Sequence, residues 1–157
     1  MSVPPSTSSR RVPANRPLDP RGPRLGAALT TVVLAAVLLA GRSPVGVVLL
    51  AAQTAVFALG AVRGPAATPY GWVFRRFVRP RLAPPAELED PRPPRFAQSV
   101  GLAFAAIGLV ALLGDATVVA LLALGAALAA AFLNAAFGLC LGCELYLLTR
   151  RATARAS

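Results

Sequence analysis

Long apolar runs broken by short polar interruptions dominate the chain, and their spacing predicts its elements. Residues 25–41 and 45–62 form two apolar runs separated only by Arg42, Ser43 and Pro44, which predicts a tight helical hairpin. Residues 96–113 form a third run, interrupted by Gly114 and Asp115, and a fourth extends over 116–136, which predicts a second hairpin. At the helical rise each of the first two runs spans roughly 25–27 Å, close to the ~30 Å of a bilayer hydrocarbon core. Hydrocarbon offers backbone groups no water to bond, so each run must be helical, and the many Ala and Gly residues permit close helix contacts. The pattern predicts an all-α fold: an integral membrane four-helix bundle of two parallel helical-hairpin repeats.

The flanks set the organisation around that core. Residues 1–17 are rich in Pro, Ser and Arg with little apolar content and cannot offset the entropy of ordering, so they are expected to be a disordered cytoplasmic tail. The membrane domain is expected over 18–151, with interfacial segments over 70–79 and 142–150, and a short tail over 152–157. A cleaved signal peptide is a poor description of the first run, because its preceding region is too long and three more runs follow.

Charge orients the bundle. Arg10, Arg11, Arg16, Arg21 and Arg24 precede the first run, and Arg63, Arg75, Arg76, Arg79, Arg81, Arg92 and Arg95 fill the central loop. Arg150, Arg151 and Arg155 follow the fourth run, whereas the hairpin tips hold only Arg42 and Asp115. Positive loops stay in the cytoplasm, so both termini are expected there, in a multi-pass protein of the cell membrane. The formal net charge of +10 suits nucleic acid or anionic lipid. The arginines track the ends of the apolar runs and no nucleic-acid motif is present, so the lipid bilayer is the expected partner and nucleic acid is not. The absence of His removes imidazole catalysis and His-ligated metals.

Asp19-Pro-Arg21-Gly-Pro-Arg24 recurs as Asp90-Pro-Arg92-Pro-Pro-Arg95, each copy just before a hairpin. The prolines stop a helix from propagating backwards, and the paired arginines suit an anchor at headgroup level. A functional alternative is that the two elements converge on an anionic ligand or headgroup. The same offset equates 70–79, where aromatics alternate with arginines, with the segment that begins near Gly142. The fourth helix is therefore expected to end at a Gly-flanked turn over 138–142; the rival is one continuous helix over 116–148.

Cys140-Leu-Gly-Cys143 contains the chain's two cysteines. This spacing suits a disulfide or a shared metal, and at a cytoplasmic position a permanent disulfide is not expected, leaving a cycling thiol pair. A helix starting there would favour a thiolate at Cys143, which Glu144 opposes; Arg75, Arg76 and Arg79 are candidates to offset that carboxylate. The plain alternative is that both cysteines simply pack. A zinc or iron-sulfur site would need a homo-oligomer to complete its ligands, so no cofactor is expected. Gln53 and Asn134 are polar positions inside apolar runs, expected to hydrogen-bond between helices, with Asn134 placed to cap or brace the cysteine turn.

On the Asp-Pro-Arg-x-Pro-Arg repeat and the segment from Asn134 through Cys140, Cys143 and Glu144 to Tyr146, the sequence resembles a bacterial membrane family, domain of unknown function 4395. Tyr146 closes that family's Gly-x-Cys-x-Gly-Cys-Glu-x-Tyr pattern. The resemblance implies a small multi-pass protein, of a kind often encoded near thioredoxin-like proteins or rhodanese-type sulfurtransferases, and hence sulfur or thiol traffic. The expected function is a thiol redox or sulfur-species relay through Cys140 and Cys143, rather than a stand-alone enzyme. A non-catalytic scaffold or small transport subunit is the alternative.

Overall fold

A computed structural model describes residues 17–156, so all but Pro17 of the expected tail over 1–17 lies outside the described residues. Four long helices carry the fold: α1 (Arg21–Ala40), α2 (Pro44–Arg63), α4 (Arg92–Leu113) and α5 (Thr117–Phe137). Between α2 and α4 lies the short α3 (Pro69–Val73), which continues as a π-helical turn over Phe74–Val78 and a 3₁₀ turn over Arg79–Arg81. The chain closes with α6 (Leu141–Ala156). Thus 70–79 is a broken helical segment, and helix persists through most of 152–157.

Each boundary has a local cause. Ser43 caps α2 by accepting the Gly46 N–H at 3.2 Å, with Pro44 in the first turn where its missing N–H costs nothing. Pro20 and Pro91 stand at the starts of α1 and α4, where their fixed φ suits a helix entry. Both helices therefore begin ahead of their apolar runs and take Arg21, Arg24, Arg92 and Arg95 into their first turns.

Helix pairing crosses between hairpins. α1 packs chiefly on α5 and α2 on α4, while α4 also lies along α5. Leu34, Val37, Leu50, Phe57, Ala105, Leu112 and Leu124 fill the shared core. Small residues set the spacing: a Cβ on Gly108 would stand 2.6 Å from a Leu124 methyl, so any larger residue there would require Leu124 to shift.

The hairpin tips meet at one end of the bundle, where Arg42 and Asp115 form an ion pair. The arginine-rich elements gather at the other end, where the backbones of Leu18 and Glu89 pair through two hydrogen bonds of 2.9 and 2.8 Å. Val32, Val48, Val110 and Leu122 are all at least 66% exposed, so every long helix turns large apolar side chains outward. Among the described residues, α1, α2, α4 and α5 are long and apolar enough to cross a membrane, and such an outer surface suits hydrocarbon rather than water.

Candidate functional site

The turn between α5 and α6 is built around Gly138. It adopts a left-handed conformation (φ 71°), which a Cβ would strain, and its N–H returns to the Asn134 carbonyl at 3.0 Å. The next N–H, from Leu139, reaches back to Leu133 at 3.3 Å, and the left-handed Gly138 with its bond to Asn134 ends the helix in an αL cap. Two residues later Cys140 opens α6, its carbonyl accepting the Glu144 N–H at 3.0 Å. Cys140 and Cys143 are thus one helical turn apart, with Cα atoms separated by 5.2 Å. Their sulfurs are joined as a disulfide.

A pair that can cycle, rather than a permanent disulfide, was the expectation from sequence, and geometry allows the bonded form: one turn at a helix start already brings the Cα atoms into the usual disulfide range of about 4.4–6.8 Å. The bond links the turn to its own helix and ties no two long helices together. Both cysteines are partly buried, and Glu144 is exposed. Among the described residues no arginine forms an ion pair with Glu144. Arg75 donates to the Ala66 carbonyl, and Arg76 lies over the Phe77 ring at 5.7 Å.

What holds α6 in place is its contact with the start of α4. A Cβ on Gly142 would stand 2.6 Å from the Ala97 Cβ and 2.7 Å from its Cα, so this glycine lets the two backbones touch. One turn further on, the Tyr146 ring meets that of Phe96 at 5.7 Å between centroids. The cysteine turn is therefore fixed against the element that carries the second Asp-Pro-Arg copy.

The two Asp-Pro-Arg copies do not converge on one point; they act at separate helix ends in matching ways. Arg24 sends Nε to the Ala135 carbonyl (3.0 Å) and Nη2 to the Ala136 carbonyl (2.9 Å), closing the end of α5 beside the cysteine turn. Arg95 sends Nε to the Ala61 carbonyl (2.7 Å) and Nη2 to the Val62 carbonyl (2.6 Å), closing the end of α2. Carbonyls left unpaired at a helix C-terminus carry partial negative charge, so a guanidinium fork suits them. The aspartates prepare these starts: Asp19 accepts the Arg21 N–H at 3.1 Å, and Asp90 accepts the Arg92 N–H at 2.9 Å. Asp19 also takes the Arg21 guanidinium at 2.9 and 3.0 Å, and that side-chain bond holds its carboxyl below the ordinary 3.8 although burial opposes it.

Behind the disulfide lies a cavity of about 300 Å³ between α1, α4, α5 and α6. Cys140 and Gly142 form part of its wall, and most of the rest is Ala, Gly and Phe. Thr30, Gln98 and Asn134 are the polar residues of its wall, and the Gln98 carboxamide lies against Gly60 of α2. Thr30 is engaged by the Gln53 amide at 3.4 Å, and the Gln53 carbonyl oxygen accepts the Tyr70 hydroxyl at 2.7 Å, a chain linking α1, α2 and α3. Burial pushes the Tyr70 phenol above its ordinary 10.0, which keeps it a donor. Gln53 therefore bonds between helices, whereas the Asn134 side chain lines the cavity and only its backbone carbonyl braces the turn.

Residues 18–151 match the family model described as Domain of unknown function (DUF4395). The chain belongs to the DUF4395 family. No curated protein and no solved structure matches it. In this DUF4395 member Cys143, Glu144 and Tyr146 lie on α6 and Cys140 immediately precedes it, with Asn134 at the wall of the adjoining cavity. Thr30 and Gln98 were not legible as site residues, although each is a polar side chain inside an apolar run, which was the available signal.

Proposed function

We propose that this protein is a multi-pass membrane thiol relay, with both termini and the cysteine turn on the cytoplasmic side. The observation that carries the reading is the Cys140–Cys143 bond itself. It closes a loop within a single turn, where a cross-link constrains the unfolded chain least, so holding the fold gives little reason for it. Two sulfurs at a helix start that interconvert between dithiol and disulfide give a better one. In the cytoplasm such a bond is the oxidised half of a cycle rather than a permanent staple.

The step is a thiol–disulfide exchange. A partner thiolate attacks one sulfur and displaces the other as a thiolate; the partner's second thiol then resolves the mixed disulfide. Two electrons and two protons pass to the Cys140–Cys143 pair, and the partner leaves with a disulfide. In the reduced pair Cys143 is the preferred attacking cysteine because it lies in the first turn of α6, where the helix N-terminus favours its thiolate. A thioredoxin-like protein is the fitting partner class, and with a rhodanese-type sulfurtransferase the same pair would carry a sulfane sulfur.

Replacing either cysteine by Ser should abolish exchange with a dithiol partner while leaving expression and membrane insertion intact. Thiol alkylation after reduction should label the pair rapidly in inverted vesicles and slowly in right-side-out ones. Full exchange activity in the double Ser variant would sink the relay, and labelling in right-side-out vesicles would reverse the topology.

A further inference from the structure

We propose that the cavity beneath the cysteine turn binds the ring of a lipid-soluble quinone, which accepts the electrons of the Cys140–Cys143 dithiol. This rests on the relay reading for its chemistry and on the cavity for its site. The volume of about 300 Å³ is at the small end of the range for ligand pockets, enough for a ring whose tail stays outside. Phe104, Ala126, Leu141 and Leu145 line the cavity and are also exposed on the outer surface, so it opens on the apolar flank of the bundle. A ligand dissolved in hydrocarbon reaches it there without crossing water.

The polar groups fit a quinone in kind. Among the described residues neither the Gln98 nor the Asn134 side chain has a hydrogen-bond partner, and both residues line a mostly apolar space, Gln98 with its carboxamide against Gly60 of α2. Both residues are half-buried, and no buried side-chain polar atom among the described residues lacks a partner, so these carboxamides remain accessible to an entering ligand. A quinone ring presents carbonyl oxygens that accept from carboxamide N–H groups and otherwise offers only apolar surface. Cys140 belongs to the same wall, so the ring and the sulfur pair share one space.

The electron count closes. Two S–H bonds break and one S–S bond forms; the two electrons and two protons pass to the two quinone oxygens, giving a quinol. Each disulfide formed consumes one quinone, and a cytoplasmic dithiol partner then restores the thiols by the exchange described above.

The test uses the full-length protein in lipid nanodiscs with a short-chain ubiquinone as the probe. Added quinone should raise the Tm of the wild type and of the Cys140→Ser/Cys143→Ser double variant alike. Apparent affinity should fall at least tenfold in Ala130→Phe, which fills the cavity, and in Asn134→Leu, which removes the donor at similar size; Gly125→Ala, outside the cavity, should match the wild type. Reduced wild type should form one disulfide per quinol released. No Tm shift, or equal shifts in Ala130→Phe and Asn134→Leu, overturns the quinone site. Exchange with a dithiol but no quinone reduction overturns this inference and leaves the relay standing. Cavity-dependent quinone binding with cysteines inert to both reagents keeps the site and removes the relay.

Discussion

Arg95, in the first turn of α4, donates from Nε to the carbonyl of Ala61 at 2.7 Å, two residues before the end of α2. Seventy-one residues earlier, Arg24 does the same for the end of α5. Each hairpin's entering helix thus closes the leaving helix of the other, and the crossed pairing of α1 with α5 and α2 with α4 follows from these contacts and the apolar core together. Replacing either arginine by Met should lower stability by about 1–2 kcal/mol, the value of charge-assisted bonds reduced for partial exposure. Lys should recover only part, since one ammonium cannot fork across two carbonyls. Reversible unfolding in detergent measures both, and the two losses should add because the sites share no partner.

Tyr70→Phe removes the hydroxyl that satisfies the buried Gln53 and should cost about 1–2 kcal/mol, because an amide oxygen is left without a donor. Adding Gln53→Met to that background should recover a good part of the loss. Strictly additive losses in the double-mutant cycle would contradict the coupling between these side chains.

Gly142→Ala places a methyl group against the Ala97 backbone and should cost about 1–3 kcal/mol by pushing α6 off α4. The same change at Gly125, where nothing lies within 4 Å, should be neutral or slightly stabilising. After reduction, the cysteines of the Gly142→Ala variant should alkylate faster than those of the wild type. Equal rates would separate the docking of α6 from the exposure of the pair.

Asp19 gives a pH dependence of defined sign. Its folded pKa is held below 3.8 by the Arg21 bond, so its ionised form stabilises the fold at neutral pH. That contribution fades as pH falls through 3.8 toward the lower folded value. In acid titrations of Tm the Asp19→Asn variant should start lower at neutral pH and lose less than the wild type below 3.8. Parallel curves would show that the Arg21 contact does not couple to folding.

Four apolar runs, two hairpin tips, an arginine-rich end and a glycine break before the cysteines are properties of the linear chain, because run length, turn residues and charge position act locally. Gly138 ends α5 by its own backbone preference, and Cys140 and Cys143 are neighbours through spacing alone. The partner of each helix was not legible in this way: helices apolar on every side carry no pattern that separates a buried face from an outward one. Small residues mark close approach without naming what approaches, so the meeting of Gly142 with Ala97 and of Gly108 with Leu124 belongs to the tertiary structure. The cavity likewise exists only where alanines and glycines from separate helices face each other, and that same packing places Gln98 and Asn134 at its wall and sets Arg24 and Arg95 on carbonyls distant in the chain.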